Sequence, residues 1–561
     1  MLHLIPAVKS LKQTGGTLQA STVAPAEKYS PRLDKALQAL PVCKCGAPLS
    51  LSFGEGEGEG YTLSVTENAV AIKAEGERGA FYAIQTLRQL FANGSVPCLE
   101  IEDRPDFAYR GFYHDVTRGK VASVETLKKL IDYMAYYKMN ALQLYVEHVF
   151  PFKETAALLP QTSGLTPDEL RELDAYCAEH FIDFQPSLST FGHLFELLHQ
   201  KEFAHLRVLK DFEGSTCRWD DRMRHHTIDP RDPESLEVVK SLIDQYMPCF
   251  TSEYFNICCD ETFDLKTLDP EGKLYLEFVQ KIIAYVASKG KRVMMWADIL
   301  LQHPDCIEAL PKDTLFLNWS YRAEPPEESV ARFAKLGRAQ IVCPGTTSWS
   351  RFCERVEREE PNILKMAEYG YAHGAIGMLN TNWGDWGNPA PIETALYGTV
   401  LGAAKSWDIK TQPDAGFYAD VNALLYQNEN AMRYLVAMSE AHNEVPWNNI
   451  MKAAFLHRNG MEHEAPITAE GLALAQKTYR ELTAALHAEA WECEDFKAEF
   501  LLAIEGICVL AELGAKLSGI ACKRLSDTEG FLARYRAKWL EKNKESELSR
   551  IEDIFRYCDS L

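Results

Sequence analysis

Two carboxylates stand side by side at the end of an apolar run, in Tyr254-Phe255-Asn256-Ile257-Cys258-Cys259-Asp260-Glu261-Thr262. A buried strand that runs into adjacent acids is costly unless the acids are paired or put to work. A strand-end pair bonded to loop amides meets the first condition. The second points to general acid chemistry, and adjacency limits its form. A retaining glycosidase with its own nucleophile holds two carboxyls about 5 Å apart, on opposite sides of the bond to be cut. Inverting enzymes space them further to admit a water. Two successive residues on one strand do not easily straddle a sugar ring. They can act from one region instead: one protonates the leaving oxygen, the other steadies a group supplied by the substrate. A 2-acetamido group suits that task, because its carbonyl oxygen can attack the anomeric carbon.

The same pattern recurs along the chain. Asp115 and Arg118 end one apolar run, Glu147 and His148 the next, and His193 follows a third. Trp296 and Asp298, Trp319 and Tyr321, Trp349, and Trp383 with Asp385 and Trp386 follow others. Aromatic faces stack on the C–H faces of sugars, and carboxylates accept hydrogen bonds from hydroxyls. Acids and tryptophans at one rim above aliphatic runs are the composition of a carbohydrate site. Any one of these tryptophans read alone is more often core, and a lone His193 is more often a satisfied core histidine.

Eight runs carry these residues: 110–117, 140–148, 182–190, 253–261, 292–300, 314–321, 339–346 and 374–383. Between several of them lie helices with clear starts. Thr166-Pro167-Asp168-Glu169 is a capping box with proline at the first helical position. Asp232-Pro233-Glu234 is another cap, with Leu236, Val239 and Ile243 behind it. Leu127, Leu130, Ile131 and Met134 form a stripe after Ser123. Eight strand–helix units over about 300 residues indicate a (β/α)₈ barrel, whose reactive groups gather at the C-terminal ends of the strands. A doubly wound open sheet is the structural rival.

The barrel is expected over 104–404. Residues 1–103 read as a small N-terminal α/β domain: 61–65 and 69–74 alternate like a hairpin, and 77–93 reads as a helix. The run GEGEGEG at 54–60 reads as a solvated hairpin loop, its glutamates arguing against phosphate binding. Strand signals stop after about 405. Residues 405–561 read as a C-terminal helical domain, with 536–561 as a charged, solvated helix. Its apolar helices are expected to pack on the barrel or on a second subunit, as in a homodimer.

Of the 561 residues, 46% are hydrophobic, and 80 Asp and Glu outweigh 59 Lys and Arg for a net charge of -21. So acidic a surface repels phosphate backbones and anionic lipid, which argues against nucleic-acid and membrane partners. Residues 1–19 lack the order of a secretory signal, and the fifteen scattered cysteines include no pair of C-x-x-C knuckles. These features point to a reduced, cytoplasmic protein. No cofactor and no metal site is called for: His225-His226 and the other histidines lack a ligand spacing such as H-E-x-x-H.

Three separated stretches, RGFYHDVTRGK, FNICCDETFDL and NTNWGDWGN, occur in this order. Together they resemble glycoside hydrolase family 20, the β-N-acetylhexosaminidases, over about residues 40–400. The resemblance implies an exo-acting, retaining enzyme that removes terminal GlcNAc or GalNAc from oligosaccharides and glycoconjugates through an oxazolinium ion. It implies Glu261 as general acid/base and Asp260 as the group that orients the acetamido N–H and stabilises that ion. It further implies Trp296, Trp319 and Trp383 as walls around the acetamido methyl and the ring, and His193 as an active-site histidine. Asp385, where the family usually has glutamate, and Arg110 would hold the outer hydroxyls, although a simple register puts Arg110 at the wrong end of its strand. Glu147 is a plausible sugar ligand, and Trp349 joins the aromatic rim. The chain departs from the family at Cys258-Cys259, usually two glycines, and in CPGTTSW, which lacks the usual tyrosine. Tyr321 is the substitute. Two readings compete: a glycosidase that uses separated carboxylates such as Glu147 and Glu261, and a non-catalytic sugar-binding barrel.

Overall fold

A computed structural model describes residues 2–54, 56, 58–158, 164–212, 214–215 and 217–561. The first part is a six-stranded sheet of β1 (Ser10–Thr17), β2 (Val23–Pro25), β3 (Ala47–Phe53), β4 (Tyr61–Val65), β5 (Val70–Ala74) and β6 (Pro97–Asp103), in the order β1-β6-β4-β5-β3-β2. The expected hairpin is β4 and β5, antiparallel from Tyr61↔Ala74 to Val65↔Val70. Alternation works as the pattern demands: Tyr61, Leu63, Val65, Val70, Ile72 and Ala74 are buried. The helix Glu77–Ala92 covers that face with Phe81, Ile84, Leu87 and Leu90. The 54–60 run is not a hairpin loop. It joins β3 to β4, and β5 lies between them. Glu55 and Glu57 of that run lie outside the described residues.

All eight longer runs contribute to one closed parallel barrel: β7 (Tyr109–Asp115), β8 (Ala141–Val146), β9 (Asp183–Leu188), β10 (Tyr254–Asn256), β11 (Arg292–Trp296), β12 (Leu315–Trp319), β13 (Gln340–Cys343) and β14 (Gly377–Asn382). Pairing of β14 with β7, from Gly377↔Tyr109 to Asn382↔His114, closes the ring. Closure excludes the open sheet. The helix starts are as the sequence implies. Ser123 caps Val124–Tyr136, Thr166 and Glu169 form a reciprocal capping box, and Asp232 caps Pro233–Tyr246. Each strand ends before its run does, and β10 is the shortest: it stops at Asn256, since Cys258, Cys259 and Glu261 take left-handed φ values and leave the ladder. The last barrel helix, Tyr397–Trp407, crosses the boundary expected at 404.

Beyond it the chain is helical. Helix Glu494–Leu517 is buried on nearly every side, and Trp447–Arg458, Ala469–Ala488, Thr528–Lys542 and Leu548–Ser560 pack around it. The stretch 536–561 is not one solvated helix. It breaks at 543–547, and its two halves bury Trp539, Ile551, Phe555 and Cys558. Apolar residues spaced among its charges give each half an inward stripe. The break lies on the barrel: Lys544 and Glu547 donate backbone N–H bonds to Val121 and Gly119, and Ser123 donates to Lys542. No described helix is long and apolar enough to cross a membrane.

Candidate active site

The turn after β10 sets up the acidic pair. Cys258 (φ 56°), Cys259 (φ 65°) and Glu261 (φ 47°) all lie in the left-handed region, which costs a side-chain-bearing residue about 1–2 kcal/mol. Bonds to its backbone hold the turn there. Trp296 N donates to Cys258 O at 3.1 Å, Tyr275 OH to Cys259 O at 2.8 Å, and Thr190 Oγ1 to Ile257 O at 2.6 Å. Gly192 permits the close approach: a Cβ there would stand 2.3 Å from the Asp260 carbonyl oxygen. Asp298 accepts the Glu261 N–H at 3.0 Å. Two buried thiols therefore occupy positions where glycine would be unstrained, and the acids still reach one cleft.

His193, itself at φ 58°, stands over both acids. Its Nε2 is 3.3 Å from Asp260 Oδ2 and 3.4 Å from Glu261 Oε2. Burial opposes charge on the ring and Arg118 adds to that, but Asp260 and Glu261 outweigh them and raise His193 to about 10. Its backbone N–H donates to His226 Nδ1 at 2.7 Å, and the two rings stack at 4.2 Å. His226 is thus a buried prop. Ligand-type atoms of His193, Asp260 and Glu261 lie within 4.8 Å of one another, a spacing that could also suit a metal. The Asp260 side chain is 9% exposed and Glu261 25%. Asp260 Oδ1 is buried without a partner.

Arg118, not Arg110, is the arginine of this site. Arg110 is the second residue of β7, five residues and roughly 16 Å below Asp115. It is 1% exposed and binds Glu59 of the N-terminal domain at 2.6 Å, with Lys138 O and Phe107 O. Arg118 lies past the strand's C-terminal end. Its Nη1 meets Asp385 Oδ1 at 2.6 Å, its Nη2 lies 3.2 Å from His193 Nδ1, and its Nε meets Glu147 Oε1 at 3.3 Å. Asp115 holds the loop, accepting the N–H groups of Thr117 and Arg118 through one oxygen and that of Gly384 through the other.

Glu147 is buried, and both its oxygens are engaged. Tyr145 OH at 2.9 Å and Arg118 occupy one of its oxygens, and Arg222 lies 3.5 Å from the other. Burial would raise its pKa, but Arg222, His148 and Arg118 hold it well below the usual carboxylate range. Its expected role as a sugar ligand becomes that of an anchor for Arg118. Burial raises Asp385 against the pull of Arg118. Burial and the charge on Asp260 push Asp298 up to about 8.

The tryptophans form one box. Trp296 and Trp383 lie 5.8 Å apart, both against Tyr113, and Tyr145 closes on Trp383 at 5.1 Å. Trp383 Nε1 donates to Tyr321 OH at 2.7 Å. Tyr321 stacks on Trp319 at 5.0 Å and meets the edge of Trp349 at 5.1 Å. Gly345 fits beneath, since a Cβ there would lie 2.8 Å from both Tyr321 and Trp349. Tyr113 and Tyr145 were not singled out in sequence, and Asp298 was read only as a rim acid beside Trp296. Period two could have found the tyrosines: Tyr113 shares a strand face with Asp115 and Tyr145 with Glu147.

Comparisons with known proteins point to one family. A family model described as glycosyl hydrolase family 20, catalytic domain, matches residues 107–368, and one described as glycosyl hydrolase family 20, domain 2, matches 1–104. The chain is 22% identical over 430 residues to a beta-hexosaminidase of Vibrio furnissii, covering 67% of this chain and 63% of that protein. It is 32% identical over 274 residues to one of Akkermansia muciniphila, covering 42% and 55%. The chain thus spans under two thirds of the length of these relatives. Among solved structures, Flavobacterium johnsoniae chitobiase aligns over 99% of both chains with TM-score 0.62 at 16% identity, a likeness of fold.

Proposed function

Because this chain belongs to glycoside hydrolase family 20, we propose that it is an exo-acting β-N-acetylhexosaminidase that removes terminal GlcNAc or GalNAc from oligosaccharides with retention, using the substrate's own acetamido group. One observation carries the reading. Asp260 and Glu261 reach the cleft side by side, while Glu147, the separated carboxylate, is locked between two arginines. A nucleophile must approach the anomeric carbon from the face opposite the acid, and an anchored Glu147 is poorly placed to do so. The acetamido oxygen can. That also disfavours the reading with separated carboxylates.

In this mechanism Glu261, the more exposed acid, gives its proton to the glycosidic oxygen as the C1–O bond breaks. The acetamido carbonyl oxygen closes on C1 and forms an oxazolinium ring. Asp260 accepts the acetamido N–H through its unpartnered Oδ1, and its charge stabilises the ring's positive charge. Glu261, now a carboxylate, takes a proton from a water that attacks C1 and reopens the ring, so configuration is retained. Trp296, Trp383 and Tyr321 enclose the acetamido group, and Arg118 and Asp385 bind the outer hydroxyls. His193 keeps the two acids in register. The deciding experiment compares 4-nitrophenyl β-N-acetylglucosaminide with 4-nitrophenyl β-glucoside. Turnover of the first and not the second is expected, and comparable rates on both would sink the reading.

A further inference from the structure

Charges alternate along a line from the C-terminal helices to the sugar-binding arginine. Glu547 lies in the break between the last two helices, its side chain 13% exposed. Its Oε1 accepts from Arg222 Nη1 at 3.1 Å and from Arg550 at 2.8 Å. Arg222, 4% exposed, also donates to Thr117 O at 3.0 Å and reaches Glu147 Oε2 at 3.5 Å. Glu147 in turn holds Arg118 through its other oxygen, and Arg118 holds Asp385. The backbone beside Glu547 pairs with the loop that follows Arg118, through Glu547 N to Gly119 O and Lys544 N to Val121 O. Each buried member keeps its ion pairs only while its neighbours stay charged. Without Glu547, Arg222 would turn more fully to Glu147 and compete there with Arg118.

We propose that Glu547 is a positioning residue for substrate binding: the C-terminal helical region sets the place of Arg118 through Arg222 and Glu147. The proposal rests on the hexosaminidase reading of the cleft. An arginine that binds outer hydroxyls acts equally before and during bond cleavage, so its misplacement raises KM and spares kcat.

The test is Glu547→Gln, which keeps the shape and the backbone bonds of the break. Steady-state kinetics on 4-nitrophenyl β-N-acetylglucosaminide should show KM raised roughly three- to tenfold with kcat within about twofold. Glu547→Asp, which retains the charge, should recover most of the loss. A thiazoline that mimics the cyclic intermediate should weaken in parallel with KM. An unchanged KM, or a fall in kcat alone alongside a lower Tm, overturns the proposal and leaves Glu547 a fold residue. Wild-type protein inert on the N-acetylglucosaminide instead overturns the underlying reading, so the two failures are distinguishable.

Discussion

Arg118 and Asp385 meet at 2.6 Å across the seam where the first and last barrel strands close the ring. One follows β7 and the other β14, so the pair forms only when the barrel is complete. Arg118 also sits over Tyr145 and Trp383, its guanidinium carbon 4.9 and 5.1 Å from the ring centres. A planar, always charged group suits this place, and a lysine would lose both the fork and the stacking.

Substitution should separate the two arginines. Arg118→Lys is expected to raise KM for aryl N-acetylglucosaminides roughly 10- to 100-fold, the worth of a charged hydrogen bond. Arg110→Met should leave KM unchanged and cost about 3 kcal/mol in urea denaturation, because it strands Glu59. A KM effect at Arg110 would contradict its placement at the far end of the barrel.

The acids themselves have distinct expected losses. Glu261→Gln should lower kcat about 10²- to 10⁴-fold, most severely for substrates with poor leaving groups. Asp260→Asn should lower it about 10²- to 10³-fold by removing the counter-charge of the cyclic ion. Stopped assays with two leaving groups of different acidity separate them: a steeper dependence on leaving group belongs to Glu261 alone.

The turn that carries them tests backbone strain. Cys258→Gly relieves a left-handed residue but gives up a buried thiol, two effects of about 1 kcal/mol each that nearly cancel. Near wild-type stability and activity are expected. Cys258→Val adds bulk and β-branching at φ 56° and should cost about 3 kcal/mol with most of the activity. Thermal unfolding and kinetics of both variants check this, and equal tolerance of valine would show that the turn is not conformationally tight.

Asp298 gives stability a pH slope. Burial first, then the charge on Asp260, raises it to about 8 from a usual 3.8. Between those values the folded protein holds a proton that the unfolded chain does not, so this contribution to stability is full below pH 4 and is lost as pH rises toward 8. Asp298→Asn cannot ionise, and its amide oxygen can still accept the Glu261 N–H. Tm measured from pH 5 to 9 should fall less steeply in the variant, which should be the more stable of the two at pH 8.5. Parallel curves would show that Asp298 is already charged.

The barrel was legible because each strand is buried on both faces and so reads as an uninterrupted apolar run, while caps such as Thr166 mark the helices between. The rim was legible because its acids and tryptophans interrupt those runs. The roles of Arg110 and Glu147 were not legible. Nothing in their local sequence states which end of a strand faces the cleft or which neighbour will take up a carboxylate. The tail was misread for a related reason: its charges are local and visible, whereas the helix that covers its apolar stripe is remote in sequence.

By itself, the amino-acid order determined the sequence of strands and helices, the adjacent acids at 260 and 261, and the aromatic character of the site. These depend on neighbours along the chain. The tertiary structure alone decided that Arg118 faces the cleft, that Glu147 is held behind it, and that His226, Arg222 and Glu547 brace the site. Those assignments depend on which charges come within a few ångströms when the ring closes, and Coulomb energy is set by distance in space.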